Sequence, residues 1–433
     1  MKLNRRSFLT GAAATTALAS LPLIARGGGS PKKLILVFAS GGWDVTYGFD
    51  PKLGSNTIDG PETESGPGAA PGDEFVGTWG EDLQFMINDT KRPGVSAFFD
   101  NWSHLAAVVN GIWVGTIAHS ACAIRMLTGT RTETSADIAA ISGYSLAGTD
   151  ESIPIPYMDI GGRAFMGDLA AYCGRAGFRN QLKALLQPEL SLPSVPGSGL
   201  QYPLMDIAPP ESTLIDGFLA ARAERLLGAH TDPANGKQIA DYFEATERAA
   251  ALRSDGVDFA NELEFGASLS LSAQADAAVG LLSSGLCQTV SLDSRQAWDS
   301  HDDITEQHNS YNNLFTGLDG LMSKLQSENL LSETVVVVMS EMTRTPKRNS
   351  TGGKDHWPHT SAMVLGAGVA GGRSFGATDE SLNAAPVDLA SGQASSSGQS
   401  ARYDHFAAGV LQLLDVNSDE WFPELEAYSA FIS

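Results

Sequence analysis

The sequence predicts an α/β fold built around a largely parallel sheet. Short apolar runs of strand length alternate with longer segments of helical periodicity, and the strand-like runs extend from one end of the chain to the other. This alternation is typical of parallel sheets covered by helices. With 433 residues, of which 42% are hydrophobic and 18% charged, the chain can bury a large core. One dominant domain with loop insertions is therefore expected over residues 31–433.

Five apolar runs predict the strands. The clearest holds four consecutive valines between polar flanks, which is β-branched and too short for a helix. In chain order the predicted strands are KKLILVFASGGWD, HLAAVVNGIWV, QTVSLDS, ETVVVVMSEM and SAMVLGAGV. Helical periodicity appears in STLIDGFLAARAERLLGAH, GKQIADYFEATERAAALRS and ITEQHNSYNNLFTGLDGLMSKLQSENLL. Two stretches rich in Pro, Gly or Ser, SLPSVPGSGLQYP and DLASGQASSSGQS, predict loops.

Residues 1–30 predict a twin-arginine signal peptide followed by a linker. MKLNRRSFLTGAAATTALASLPLIA starts basic and continues as an Ala- and Thr-rich apolar run that is too short to span a membrane. The pair Arg5 and Arg6 before SFL is typical of the twin-arginine route. The expected partner is the twin-arginine translocase, and the expected location is periplasmic or extracellular, with no transmembrane anchor in the mature form. Since this route often carries folded proteins with an inserted cofactor, it favours a metalloprotein.

Charge and cysteine content exclude several other classes. A formal net charge of -22 argues against nucleic-acid binding, because such a chain would not displace counterions from a phosphate backbone. Cys122, Cys173 and Cys287 are odd in number and contain no CxxC pair. They therefore predict neither a disulfide scaffold nor a zinc–thiolate site, although one disulfide could form after export.

Carboxylates and imidazoles follow or precede the predicted strands. In open α/β sheets, functional groups gather at the carboxyl ends of strands, so we expect these side chains to meet. The chain has only eight histidines, and WDSH and KDHWPH each place histidine close to aspartate. The candidates are Asp44, Asp299, His301, Glu341, Asp355, His356 and His359.

Spacing and ligand type predict one or two divalent metals. Asp299 and His301 are two residues apart, so in an extended segment they project the same way and can share an ion. Asp355 and His356 are adjacent and can serve two ions, which would form a clamp suited to displacement at phosphorus. Mixed carboxylate and imidazole ligands suit zinc, manganese or iron better than calcium, with zinc or manganese expected.

Each of these residues also has an ordinary structural interpretation. Asp44 follows two glycines and fits a turn. Glu341 and Asp299, taken singly, fit helix caps or surface ion pairs. His230 and His308 lie in or beside helical segments and are interpreted as structural.

Taken together, the motifs resemble a known family. GGWD after the first strand, WDSH, VVVVMSEMTR, GGKDHWPH and VLGAGVAGG are similar to the secreted bacterial family of domain of unknown function 1501, from about Leu34 to about Leu414. That family is placed with the alkaline phosphatase, sulfatase and phosphoglycerate mutase superfamily. The resemblance implies a three-layer α/β/α sandwich with one or two divalent metals at the carboxyl edge of the sheet. Its ligand-type positions are Asp44, Asp299, His301, Asp355 and His356, with His359 as a further one, and Glu341 and Arg344 match its Ser-Glu-x-x-Arg motif.

A second resemblance concerns the nucleophile. TIAHSACAIRMLTGTR is similar to the sulfatase segment in which a nucleophile precedes Leu-Thr-Gly at the start of a helix. Aligning Leu-Thr-Gly puts His119 at the nucleophile's position, where it is either a ligand or an acid–base group. Ser120, Thr116 and Cys122 are the nearby substitutes. The chain departs from the family further along, with lysine at 354 in place of threonine and tryptophan at 357 in place of glycine.

Two functions are compatible with these residues. The first is an exported metal-dependent hydrolase of phosphate or sulfate esters, acting on a small anionic substrate. Its catalytic candidates are His119, Ser120, Glu341 and Arg344, and either Arg344 or His359 would steady the developing charge. The alternative is a non-catalytic, metal-stabilised secreted or surface protein of the same fold. The missing nucleophile favours the alternative, whereas the retained Asp and His set favours the hydrolase.

Overall fold

The computed structural model describes residues 32–64, 72–147, 153–175 and 269–433, together with scattered helical residues between 214 and 240. The strands are β1 (Lys33–Phe38), β2 (Phe75–Trp79), β3 (Leu83–Ile87), β4 (Ala106–Trp113), β5 (Tyr157–Asp159), β6 (Cys173–Arg175), β7 (Thr289–Asp293), β8 (Thr334–Met339), β9 (Thr343–Arg344), β10 (His356–Trp357), β11 (His359–Gly366), β12 (Arg373–Phe375), β13 (Pro386–Val387) and β14 (Gln399–Ser400). The helices are α1 (Pro93–Trp102), α2 (His119–Thr128), α3 (Ile138–Ala147), α4 (Leu271–Ser283), α5 (Glu306–Ser327) and α6 (Tyr403–Leu413).

The central sheet is mostly parallel. Among the described residues its order is β12-β4-β11-β8-β1-β7-β5-β6. Strand β1 pairs in parallel with both β7 and β8, whereas β11 runs antiparallel to β8 and β4. All five apolar runs that predict strands form strands of this sheet. The direction of β11 was not predicted, because an apolar run carries no information about which way a strand runs.

Helices cover both faces of the sheet. Alternate residues of β1 enter two separate cores, as the pleat of a strand requires. Ile35 and Val37 pack with α1, α4 and α5, whereas Leu34, Leu36 and Phe38 pack with α2, α3 and α6. The fold is therefore the three-layer α/β/α sandwich that the sequence predicts.

The strand directions bring four connections to one edge of the sheet. Because β1, β7 and β8 are parallel and in register, Phe38 lies beside both Asp293 and Met339 at their carboxyl ends. Strand β11 is antiparallel, so its first residues lie beyond the end of β8. The segments after β1, β7 and β8, and the segment before β11, therefore meet at this edge.

Some predicted segments lie outside the described residues. These are SLPSVPGSGLQYP and most of the two helical segments between 212 and 254. The third predicted helix is α5, and DLASGQASSSGQS forms turns that end in β14. Every helix within the described ranges is too short or too polar to cross a bilayer.

Candidate metal centre

A buried arginine joins the segments at the carboxyl edge of the sheet. The guanidinium of Arg344 has no solvent exposure and donates to backbone carbonyl oxygens on three separate segments. Its acceptors are the carbonyls of Gly41, Gly42 (2.7 Å), Trp298 (3.0 Å) and Lys354 (3.3 Å). Its Nη2 also donates to Oδ1 of Asp299 at 2.7 Å. One side chain thus holds together three loops. They are the loop after β1, the loop that contains WDSH (residues 298–301, the WDSH loop) and the loop that contains KDH (residues 354–356, the KDH loop).

Two glycines allow these loops to approach each other closely. Gly41 has φ +126°, and a Cβ there would lie 2.9 Å from the backbone nitrogen of Asp299. A Cβ at Gly353 would lie 2.0 Å from the carbonyl oxygen of His301, which no side chain could tolerate. Gly41 of SGGWD and Gly353 of GGKDH are therefore required by packing against the WDSH loop.

Each of three histidines has its Nδ1 beside an oxygen that accepts a hydrogen bond. Nδ1 of His119 lies 2.9 Å from Oε1 of Glu341, a buried carboxylate that also accepts from the backbone N–H of Gly41 at 2.7 Å. Nδ1 of His356 donates to the carbonyl oxygen of Ile117 at 2.8 Å. Nδ1 of His301 lies 3.2 Å from Oδ1 of Asp355. With Nδ1 protonated, each neutral imidazole presents the lone pair of Nε2, as metal-binding histidines do.

The Nε2 atoms converge on the carboxylate of Asp299. Nε2 of His301 lies 3.1 Å from Oδ1 of Asp299 and 2.8 Å from Nε2 of His356. Nε2 of His119 lies 3.5 Å from Oδ2 of the same carboxylate. The ligand atoms of His119, Asp299 and His356 all lie within 4.8 Å of one another. Two imidazole lone pairs that face each other repel unless a proton or a cation lies between them, so this arrangement fits a cation.

The surroundings shift the pKa values of His119, His356 and Asp299 in different directions. The hydrogen bond to Glu341 raises the pKa of His119, although partial burial opposes it. Burial lowers the pKa of His356, and the charges of His119 and Arg344 lower it further. Burial alone would raise the pKa of Asp299, but the hydrogen bond and the charge of Arg344 outweigh it and hold the pKa below its usual value. The site therefore keeps an ionised carboxylate beside a neutral imidazole near neutral pH.

Asp44 occupies a different environment from the other ligand candidates. It is fully buried, and its Oδ2 lies 2.6 Å from Nζ of Lys354, which is also fully buried. Its Oδ1 accepts from the backbone N–H and the hydroxyl of Thr46, at 3.0 and 2.7 Å. Burial lowers the pKa of Lys354, while the charge of Asp44 opposes this shift. Oδ1 of Asp44 thus has two hydrogen-bond donors, whereas Oδ2 has the ammonium of Lys354 as its ion-pair partner but accepts no aligned hydrogen bond among the described residues.

Three further candidates lie around the cluster without joining its inner contacts. Asp355 is exposed and contacts the Nδ1 side of His301, on the opposite side of the ring from the cluster. Ser120 is exposed at the second position of α2. His359 is buried at the start of β11, and within the described ranges none of the hydrogen bonds or ion pairs that join the cluster involves it. Burial lowers the pKa of His359 to about 4.

Several positioning residues were not predicted from the sequence. Gln307 accepts from the backbone N–H of Asp44 at 3.0 Å and donates to the carbonyl of Trp298 at 2.9 Å, so α5 links two of the loops. Asn349 donates to the carbonyl of His301 at 2.9 Å. The lysine in GGKDH was the one available signal for the ion pair at Asp44, because lysine is rarely found within a buried loop without an acid.

Family models match two parts of the chain. The family described as "Protein of unknown function (DUF1501)" matches residues 217–391, and the twin-arginine translocation pathway signal sequence matches residues 2–22. The resemblance to the family of domain of unknown function 1501 is therefore confirmed, and the chain carries an export signal of the twin-arginine pathway. The family match includes Asp299, His301, Asp355 and His356 but not His119. No curated protein matches the chain.

Solved structures with a similar fold are distant. A sulfatase, PsFucS1 from Pseudoalteromonas sp., is 9% identical with a TM-score of 0.39, covering 93% of this chain and 72% of its own. A protein in the alkaline phosphatase superfamily from Vibrio parahaemolyticus is 9% identical with a TM-score of 0.36, covering 96% of this chain and 76% of its own. The phosphonate monoester hydrolase of Agrobacterium radiobacter is 12% identical with a TM-score of 0.29, covering 79% and 70%. Similarity this weak does not define an activity.

We expect Arg344→Lys to destabilise the protein by about 3 kcal/mol, because lysine cannot reproduce the guanidinium's contacts and leaves buried carbonyls without donors. Urea denaturation of the variant and the wild type measures this change. Arg131→Lys, at an exposed arginine, is the matched control and should alter stability by less than about 0.5 kcal/mol. Equal stability of Arg344→Lys and wild type would show that the arginine does not hold the loops together.

His359 predicts a pH dependence of stability. Its pKa is about 4 in the fold and 6.5 ordinarily, so the unfolded chain binds one more proton as the pH falls through this window. Stability is complete above about pH 6.5 and is lost on acidification, by on the order of 2–3 kcal/mol at pH 4. The variant His359→Gln should lose correspondingly less than the wild type between about pH 7 and pH 4 in urea titrations. Parallel pH profiles, with exposed His104→Gln as the control, would contradict this assignment.

Proposed function

We propose that this protein is an exported metal-dependent hydrolase of small anionic esters, with phosphate and sulfate esters as the substrate class. The observation that carries the proposal is the orientation of three imidazoles. Each has its Nδ1 anchored to an oxygen, and the Nε2 atoms turn toward one half-exposed carboxylate. A set of nitrogen and oxygen ligands that is open to solvent on one side is typical of catalytic zinc sites and also suits manganese.

The residues that would hold the metal are Asp299, His119, His301 and His356. When bound, a divalent cation at this position supplies Lewis acidity toward an ester oxygen. Glu341 and Asp355 would then lie outside the set of ligands, where each orients one imidazole, His119 and His301 respectively, through its Nδ1 atom. Arg344 is a positioning residue and does not contact the ester, because it is completely buried and its donors serve backbone carbonyls and Asp299.

The start of α2 supports an anionic substrate. His119 is its first residue, and the preceding Ala118 provides no side-chain cap. Backbone N–H groups of the first turn, and the positive end of the helix dipole, therefore lie next to the cluster. An anionic oxygen of a substrate can accept hydrogen bonds there, and the exposed Ser120 offers a hydroxyl donor beside them.

Water is the nucleophile in this proposal. Cys122 is unsuitable because burial raises the pKa of its thiol to about 12, and its Sγ is directed to the carbonyl oxygen of Thr116. Within the described residues, Ser120 has no hydrogen bond from its hydroxyl to a base that would activate it. The same observation favours the second candidate function, a metal-stabilised exported protein without catalysis.

Metal content tests the ligand set. After incubation with Zn²⁺ and gel filtration, elemental analysis of the mature protein should find about one equivalent of zinc in this site. His119→Ala, Asp299→Ala and His356→Ala should lose it, and Asp355→Ala should weaken binding by roughly 10–100-fold, as expected for an outer residue. His104→Ala removes an exposed histidine and is the matched control. A folded protein that binds no metal would contradict both candidate functions.

Turnover separates the hydrolase from the non-catalytic protein. Aryl phosphates, phosphodiesters and aryl sulfates are supplied to the protein with added zinc or manganese, and product release is followed. The proposal predicts turnover of at least one class, lost in Asp299→Ala because this variant loses the metal, and retained in His104→Ala. Absence of turnover on every class by a protein with bound metal would support the non-catalytic function.

A further inference from the structure

Asp44 and Lys354 form an ion pair from which solvent is excluded. Both residues have no exposed surface, and Nζ lies 2.6 Å from Oδ2. The remaining carboxylate oxygen is saturated by two donors from Thr46. Asp44 was expected to be a metal ligand, yet the atom that it would offer to an ion contacts an ammonium group.

The pair is held in place by the backbone on both sides. The N–H of Lys354 donates to the carbonyl of Ser300 at 3.1 Å, and its own carbonyl accepts from Arg344 at 3.3 Å. The backbone of Asp44 accepts from the hydroxyl of Tyr311 at 2.9 Å and donates to Gln307 at 3.0 Å. Four hydrogen-bond partners therefore fix the backbone positions of Asp44 and Lys354, and neither backbone can move away without breaking these bonds.

Charge excludes a second cation at this position. The carboxylate carries one negative charge, and the ammonium of Lys354 balances it. A divalent ion added there would face an uncompensated positive charge at close range in a buried environment, where such interactions are strong. The lysine and a metal ion are thus alternatives for the same carboxylate.

We propose that Lys354 is a built-in cation that takes the place of a second metal ion at Asp44, so that the wild-type centre binds metal only at the histidine cluster. The inference deepens the proposed function by setting the number of ions. It implies that no clamp of two metals holds the substrate, and that any second positive charge near the ester comes from fixed protein groups.

The first test compares wild type with the double variant Asp44→Asn/Lys354→Met, measuring Zn²⁺ and Mn²⁺ per protein by elemental analysis after loading. Both charges are removed together and both side chains are replaced by groups of similar size, so the fold should tolerate the change. The metal content should equal that of the wild type. A loss of about one equivalent in the double variant would overturn the proposal, because Asp44 would then be a ligand.

The second test frees the carboxylate. Lys354→Thr removes the ammonium and leaves space, and we expect the variant to take up about one additional equivalent of Mn²⁺ or Zn²⁺. Asp44→Asn/Lys354→Thr is the matched control and should not gain it. A folded Lys354→Thr protein without additional metal would overturn the proposal. If Lys354→Thr does not fold, the first test still decides.

Failure of the proposed function gives a different pattern. The first test needs a wild type that binds metal, whereas the second compares two matched variants and remains informative even if the wild type binds no metal at the histidine cluster. In that case the proposed function fails, whereas a metal-dependent gain in Lys354→Thr that requires Asp44 would still support the role of Lys354.

Discussion

The organisation of the site depends on one buried guanidinium. Arg344 lies just after the valine-rich strand β8, and its hydrogen bonds reach the loop after β1, the WDSH loop and the KDH loop. Those loops are distant in sequence and have little regular structure of their own, so without a shared donor their carbonyls would be buried and unpaired. By also holding Oδ1 of Asp299, the same side chain links loop packing to the orientation of the candidate ligand.

Around this framework the charges fall into two separate groups. In the first, Asp299 faces three imidazoles and solvent, and its environment has a place for a mobile cation. In the second, Asp44 is buried beside Lys354, and the ammonium group of this lysine side chain balances its charge in place of a mobile cation. Two aspartates that follow neighbouring parallel strands thus have different surroundings, because the KDH loop places Lys354 beside Asp44 and His356 beside Asp299. The partition explains how carboxylates at one sheet edge can include both a candidate ligand and the partner of a buried lysine.

Much of the fold was predictable from the sequence, because β1 and β8 are nearly continuous apolar runs and α5 has a long helical period. The short strands β5, β6 and β12 have no such pattern, and the direction of β11 depends on tertiary connections. For the site, the placement of carboxylates and histidines after strands predicted which loops meet, since parallel strands share an edge. The roles within the cluster were not predictable. Whether Asp355 faces the Nε2 side or the Nδ1 side of His301 depends on side-chain direction in an irregular loop. The partner of Asp44 is Lys354, which lies 310 residues away along the chain.

The central claim is that imidazoles from α2, the WDSH loop and the KDH loop share one metal ion with Asp299. X-ray absorption at the zinc edge of the zinc-loaded mature protein tests it most directly. The account predicts a shell of nitrogen and oxygen ligands at about 2.0–2.1 Å, with outer scattering from about three imidazoles. Sulfur scattering at about 2.3 Å, or a spectrum without imidazole scattering, would contradict it.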